Sequence, residues 1–350
     1  MNREQLLHAV DHGEPILRWD LSAVDLRGAD LSGATFETCT FSGEQLRDVD
    51  FTESNLVKCA FSGCSFEGAI LRHCTFVHCD LTQSNFFGSD LTATTFAESN
   101  LTDARFERME LPIPVFVKSN LTRVSFAHST LDRVRALEVD TDGANFASAK
   151  VIQGQFYQAD FRRVVLTDTE LDRCVMVENQ FGDRDLSGLV APFGQFTRCD
   201  MAGVDLRGAQ VPNANFSEAD LSGADLREVK APQAVFLSAK LSRANLAGAV
   251  LTSAIFVDAD LEAANAAQAQ LYQAVFHRAK CRATRFPGCE LTYADFSHAD
   301  LSEADFTGAS LFRARFHKTT EQGAVFGPGR AVALGDDAKL AEAEDFSPQH

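Results

Sequence analysis

From Leu21 to Phe326 every fifth residue is apolar with few exceptions, and the register never slips. The run comprises 62 consecutive pentapeptides, and in 55 of them the central residue is Leu, Phe, Met or Val. The exceptions are Ala136, Thr141, Ala191, Ala231, Ala266, Cys281 and Glu321. Two residues before each centre stands a small side chain, as at Ala29, Cys39, Ser54, Cys64 and Ala69. Asp or Asn often comes just before the centre, as at Asp25, Asp30, Asn55 and Asp80. A period of five fits neither the 3.6 of a helix nor the 2 of a strand. It requires a chain that turns a corner every five residues. Four such sides close a square coil, and coils stack through backbone hydrogen bonds.

A square coil predicts a second period, of four pentapeptides. Let faces one to four carry the centres that begin at Leu21, Leu26, Leu31 and Phe36. Face four then reads Phe76, Phe96, Phe116, and later Phe196 through Phe316 at one per coil, whereas face three reads Leu71, Leu91, Leu111, Leu131 and Val151. A bare five-residue repeat does not separate aromatic from aliphatic columns in this way. The composition agrees: 29 Phe against 3 Tyr and 1 Trp point to one interior slot used many times.

Tracts such as Ala29-Asp30-Leu31-Ser32-Gly33 and Ala219-Asp220-Leu221-Ser222-Gly223 give the unit in full. In them the chain resembles the pentapeptide repeat family. The resemblance implies an all-β fold, the right-handed quadrilateral β-helix, and no shared active site. It also implies pairing of two chains through their C-terminal ends, which an uncapped last coil would invite. Residues 1–20 read as an N-terminal cap, with a short helix over 3–11 that covers the first coil through Leu6, Leu7 and Val10. Residues 21–326 form the β-helix, and 327–350 read as an acidic, mobile tail with a short helix around 338–344.

The net charge of −17 is uneven: residues 1–230 carry −14, and 231–326 are neutral. Such a surface repels phosphates, so direct nucleic acid binding is not expected. No apolar run approaches the ~20 residues of a membrane helix, and nothing near the start reads as a signal peptide. A cytoplasmic protein is expected, with no membrane association.

The sequence offers no catalytic residues, no cofactor site and no metal ligands. Eight of the nine cysteines fall on the inward small-residue site and Cys281 is a centre, so they read as filler. The histidines sit on outward positions and form no ligand set. Aspartates along one edge of face one (Asp20, Asp80, Asp140, Asp160, Asp200, Asp220, Asp260, Asp300) suggest either an imitation of a phosphate backbone or corner residues that bond the nearby main chain. Asn100 and Asn120 in the same column favour the second.

Partner-binding candidates come from stretches where the repeat chemistry frays, read as either protruding loops or distorted coil. In 132–143 these are Arg135, Glu138, Asp140 and Asp142. In 177–194, where Asn179, Arg184 and Leu189 occupy inward sites and Gly182, Pro192 and Gly194 punctuate the same stretch, they are Asp183, Arg184 and Asp185. Met109 to Pro114 is a weaker irregularity. The expected function is a non-enzymatic scaffold or adaptor for an unidentified protein partner. The opening residues 3–15 resemble starts of pentapeptide proteins associated with bacterial type VI secretion. The alternative, implied by other relatives, is a DNA-mimicking inhibitor or protector of DNA gyrase or topoisomerase.

Overall fold

The computed structural model describes residues 2–345, which fall into two compact units, Met1–Gln180 and Phe181–His350. Each unit is a parallel β-solenoid, and the fold is the right-handed quadrilateral β-helix.

In the first unit the face-four strands run in one parallel ladder. Ile16 pairs with Phe36, Phe36 with Leu56, Leu56 with Phe76, and so on through Phe96, Phe116, Ala136 and Phe156 to Met176. Every pair is four pentapeptides apart, the separation that a square coil demands. Face three adds Leu111, Leu131, Val151 and Leu171 in the same register. In the second unit most sides are single bridges, such as Asp205 to Asp225 and Lys240 to Asp260. Coil-to-coil bonds alternate direction: Leu31 donates to Asp50 at 2.7 Å, and Asp50 donates to Ala29 at 2.9 Å.

The corners explain the five-residue unit. Two residues after most centres the backbone enters the left-handed region, at glycines and at many other residues. At Gly33 φ is +67°, and Ala34 donates to Leu31 across the turn at 3.3 Å. That is a type II turn, in which proline suits the position after the centre. Pro112, Pro192, Pro212, Pro232 and Pro287 all stand there. Ile113, a β-branched residue at φ +57°, carries strain that its flanking prolines and stacked neighbours hold in place.

Inside, the centres stack on themselves. In the second unit Phe196, Phe216, Phe236, Phe256, Phe276, Phe296 and Phe316 form one column with centroids 4.6–5.3 Å apart. Face-two phenylalanines meet this column edge-on, as Phe286 meets Phe296 at 5.7 Å. In the first unit Phe66, Phe86 and Phe106 stack alongside Phe76, Phe96 and Phe116. Each buried ring contributes on the order of 1.5–3 kcal/mol.

Neither frayed stretch protrudes. Residues 130–132 and 135–137 are strands in register with their counterparts on the adjoining coils. Thr141, a polar centre, donates its hydroxyl to the Asp160 carbonyl at 2.6 Å. In the first unit the buried Asn179 accepts the Ala159 N–H and donates to the Phe156 carbonyl, so its polar side chain is satisfied inside the coil. In the second unit Asp185 bridges Asp205, Val190 bridges Gln210, and Leu189 is buried. Gly194 fits because a Cβ there would lie 2.6 Å from the Phe196 ring. The departure is small: Gly182, not Asp183, takes the left-handed corner, at φ +58°.

The first coil begins one pentapeptide earlier than expected, with the buried Ile16 paired to Phe36. The cap helix α1 spans Arg3–Asp11 and starts at an Asn2–Gln5 capping box. It buries Leu6 and Ala9, whereas Leu7 and Val10 stay half-exposed. Arg3 ties it to the coil through the carbonyls of Asp25 and Arg27.

The last coil is not bare, and residues 327–345 fold against it. Phe316 donates to Leu334 and Leu334 to Ala314, both at 2.8 Å. The Arg330 guanidinium lies 4.5 Å from the Phe316 ring and bonds Glu321, the one charged centre. Helix α2, Ala338–Asp345, is held by Lys318, whose ammonium sits 2.8 Å from Asp345 and 3.1 Å from Glu344.

Candidate functional site

The surface chemistry starts with the residue before each centre. Its Asp or Asn oxygen accepts the N–H two residues on: Asp20 from Ser22, Asp80 from Thr82, Asn100 from Thr102, Asp220 from Ser222, Asp300 from Ser302. The aspartate column of face one is therefore corner chemistry, shared by asparagine. In the second unit the column also alternates in sign, running Asp220, Lys240, Asp260, Lys280, Asp300, with Lys240 3.3 Å from Asp220. On face two, Asp205 and Asp225 pair with Arg207 and Arg227 at 2.5 and 2.6 Å. Those side-chain bonds hold both carboxyls below the ordinary range.

The structure scatters the sequence-derived candidates. Arg135 is an outward residue of face four, and Glu138 stands at the corner that follows, 4.0 Å from Lys118. Asp140 lies around that corner on face one and accepts the Asp142 N–H, while Asp142 pairs with Arg163 at 3.1 Å. In the second unit Asp183 is exposed, and Asp185 caps Ser187. Arg184 is half-buried, and burial lowers its pKa.

The first unit's groove lies elsewhere. Gly68 and Gly88 take successive positions at the corner between faces two and three; the Asp48 side chain lies over Gly68, and Gly88 leaves its own place bare. At Gly88 opens a groove of about 420 Å³ lined also by Phe87, Asp90, Arg108, Met109, Glu110 and Pro112, among others. Phe87 is 50% exposed, and Arg108 and Glu110 form no ion pair among the described residues. The irregular stretch Met109–Pro114 supplies one wall, so part of this signal was present in the sequence.

A second feature was missed. On face four of the second unit His277, His298 and His317 form a zigzag with ring centroids 5.1 and 5.5 Å apart. His317 is fully buried, and Glu344 of α2 reaches His298 Nε2 at 3.2 Å and His317 Nε2 at 3.4 Å. His317 was expected on an outward position and is instead buried, and the three rings expected to be scattered lie together. On face three Tyr272, Tyr293 and Phe312 make a parallel zigzag of exposed rings, 5.9 Å apart.

All nine cysteines are free and buried. Burial pushes Cys64, Cys174 and Cys289 up to about 12, which makes them inert.

Interior side chains that stack on copies of themselves, with distinctive chemistry confined to the outer surface, define a repeat solenoid. Family comparison agrees. A pentapeptide repeat region model matches residues 29–106 and 59–136, and a model of eight pentapeptide copies matches 142–176 and segments from 195 to 320. The chain belongs to the pentapeptide repeat family, whose members are generally non-catalytic scaffolds. No curated protein sequence matches it significantly. Among solved structures it is similar to HetL, a pentapeptide repeat protein involved in heterocyst differentiation regulation in the cyanobacterium Nostoc sp. strain PCC 7120. That match has 21% identity and a TM-score of 0.32, over 66% of this chain and 88% of that one. QnrB1, a plasmid-mediated fluoroquinolone resistance protein, is 17% identical over 62% of this chain and 100% of its own, with a TM-score of 0.37. Likenesses this distant say nothing of what this chain binds. Among the described residues no helix is long and apolar enough to cross a membrane.

Proposed function

We propose that this protein is a non-enzymatic scaffold that binds a protein partner in the cytoplasm, and that the groove beside Phe87 is where an extended segment of that partner docks. The observation that carries this reading is the groove itself. It joins a half-exposed phenylalanine to an arginine and a glutamate without ion pairs, on a surface whose other charges are mostly spent on corners and on each other. Aromatic and arginine side chains are the usual anchors of such contacts. A place in type VI secretion rests only on the resemblance of residues 3–15.

Mimicry of DNA is the less favoured reading. A duplex mimic needs rows of unpaired negative charge, whereas the face-one column alternates with lysine in the second unit and Asp205 and Asp225 are each matched by an arginine.

The test is a tagged pull-down from the native cell, with the wild type beside Phe87→Ser and Arg108→Glu. A partner retained at high salt and lost in both variants, with their circular dichroism unchanged, supports the groove. Gyrase or topoisomerase subunits that are released by salt and ignore both substitutions would replace this reading with charge mimicry.

A further inference from the structure

We propose that His298, His317 and Glu344 form a binding site for a divalent transition-metal ion, zinc being the ion whose preferences they fit, and that the bound ion clamps helix α2 onto face four. The inference does not depend on the groove beside Phe87.

The donors come from three separate places. His298 and His317 stand on successive coils, and Glu344 arrives from α2. Their ligand atoms all lie within 4.8 Å of one another. Tetrahedral zinc with nitrogen and oxygen ligands at about 2.0–2.1 Å places neighbouring donors about 3.3–3.4 Å apart. Each imidazole stands near that spacing from one oxygen of Glu344, His298 Nε2 3.2 Å from Oε1 and His317 Nε2 3.4 Å from Oε2, so the carboxylate meets the ion through both oxygens or turns slightly to present one. Two imidazoles and one carboxylate select zinc, nickel or copper over magnesium or calcium, which prefer all-oxygen sets. Three protein ligands leave a fourth position for water.

A carboxylate stands behind the buried ligand. Asp336 Oδ1 lies 3.8 Å from His317 Nδ1, where metal-bound histidines commonly meet an acidic partner. Without the ion, the Asp337 N–H donates to Nδ1 at 3.1 Å, so the single proton of the neutral ring sits on Nε2 and faces Glu344. Metal binding takes Nε2 and releases that proton to solvent, while Nδ1 takes up one proton from solvent and keeps it, its N–H directed at Asp336. The Asp337 N–H must then turn away, so occupancy and the conformation of residues 336–345 are coupled. Lys318 leaves Glu344 for its other partner, Asp345.

A competing pair exists in the first unit, where His8 of α1 and His12, the residue that caps its C-terminus, stack at 4.1 Å. The experiment is a titration of the chelator-treated, untagged full chain with zinc chloride by calorimetry, together with hydrogen exchange over Ala338–Asp345. One ion per chain is expected, with slower exchange in α2 on loading. His298→Ala and Glu344→Gln should each weaken binding at least about tenfold, and His8→Ala/His12→Ala should leave it unchanged. These variants spare the buried His317, so folding is not at stake. No zinc uptake, or uptake that survives His298→Ala and Glu344→Gln, or uptake lost only in the α1 variant, overturns the proposal.

Discussion

Asn179 accepts the backbone N–H of Ala159 at 2.8 Å, and its amide donates to the carbonyl of Phe156 at 3.1 Å. It serves a corner where the usual turn bond is missing. Ser99 and Ser119 do the same, accepting from Cys79 and Ser99. Asn179→Ala removes both bonds inside a buried site and should destabilise the protein by about 1–3 kcal/mol. Asn179→Ser, which restores an acceptor of the type found at Ser99, should recover part of that loss. Urea unfolding of the three proteins measures both steps, and equal stability of Ala and wild type would show that the corner does not need the side chain.

The phenylalanine column makes a local prediction. Phe236 is fully buried and stacks on Phe216 at 5.2 Å and Phe256 at 4.8 Å. Phe236→Ala should cost about 3–5 kcal/mol. Because stability in a solenoid is close to a sum of neighbour terms, hydrogen exchange should quicken first in the coils that carry Phe216 and Phe256. Uniform acceleration throughout the second unit would argue for a single cooperative block instead.

Inward residues were legible in the sequence, and outward ones much less so. Burial demands the same apolar centre every five residues, so one slip of register would have been visible at once. The frayed stretches misled because chemistry was read as geometry: Thr141 and Asn179 look wrong for a core, yet each bonds a carbonyl of the adjoining coil. Pro192 looked like a break and is a favoured turn residue. The histidine zigzag was hidden because His277 and His317 follow their centres by one residue and His298 by two, so the steps between them are unequal and no column of even spacing reveals them. Its carboxylate, Glu344, lies outside the repeat altogether. The groove beside Phe87 opens at Gly88, a corner glycine whose meaning is visible only once the corners are known.

Acid should unfold the second unit in a way that depends on its arginines. Asp205 and Asp225 have folded pKa values depressed mainly by their bonds to Arg207 and Arg227. A depressed carboxyl contributes stability that is present above its unfolded pKa and is lost as pH falls through the folded value. Arg207→Ala/Arg227→Ala should therefore bring the onset of acid unfolding to higher pH, with little change in the shape of the curve near neutrality beyond a constant offset. A pH titration followed by circular dichroism reads the shift, and superimposable curves would mean that the pairs are screened to no effect.

The cysteines give a sharp kinetic test. All nine are buried and free, so reagents cannot reach the sulfurs, and burial raises Cys64, Cys174 and Cys289 to about 12, leaving those three almost no thiolate at pH 8. Cys39, Cys59 and Cys79 stack on successive coils, yet their thiols point at the carbonyls of Ile16, Phe36 and Leu56. An aromatic disulfide reagent at pH 8 should leave the native protein unlabelled and react with nine thiols once guanidinium unfolds it. Labelling should then follow coil opening, fastest where stacking is weakest. Prompt native-state reaction of one thiol would expose a coil that opens easily, and fewer than nine reactive thiols after unfolding would reveal a disulfide in the ladder.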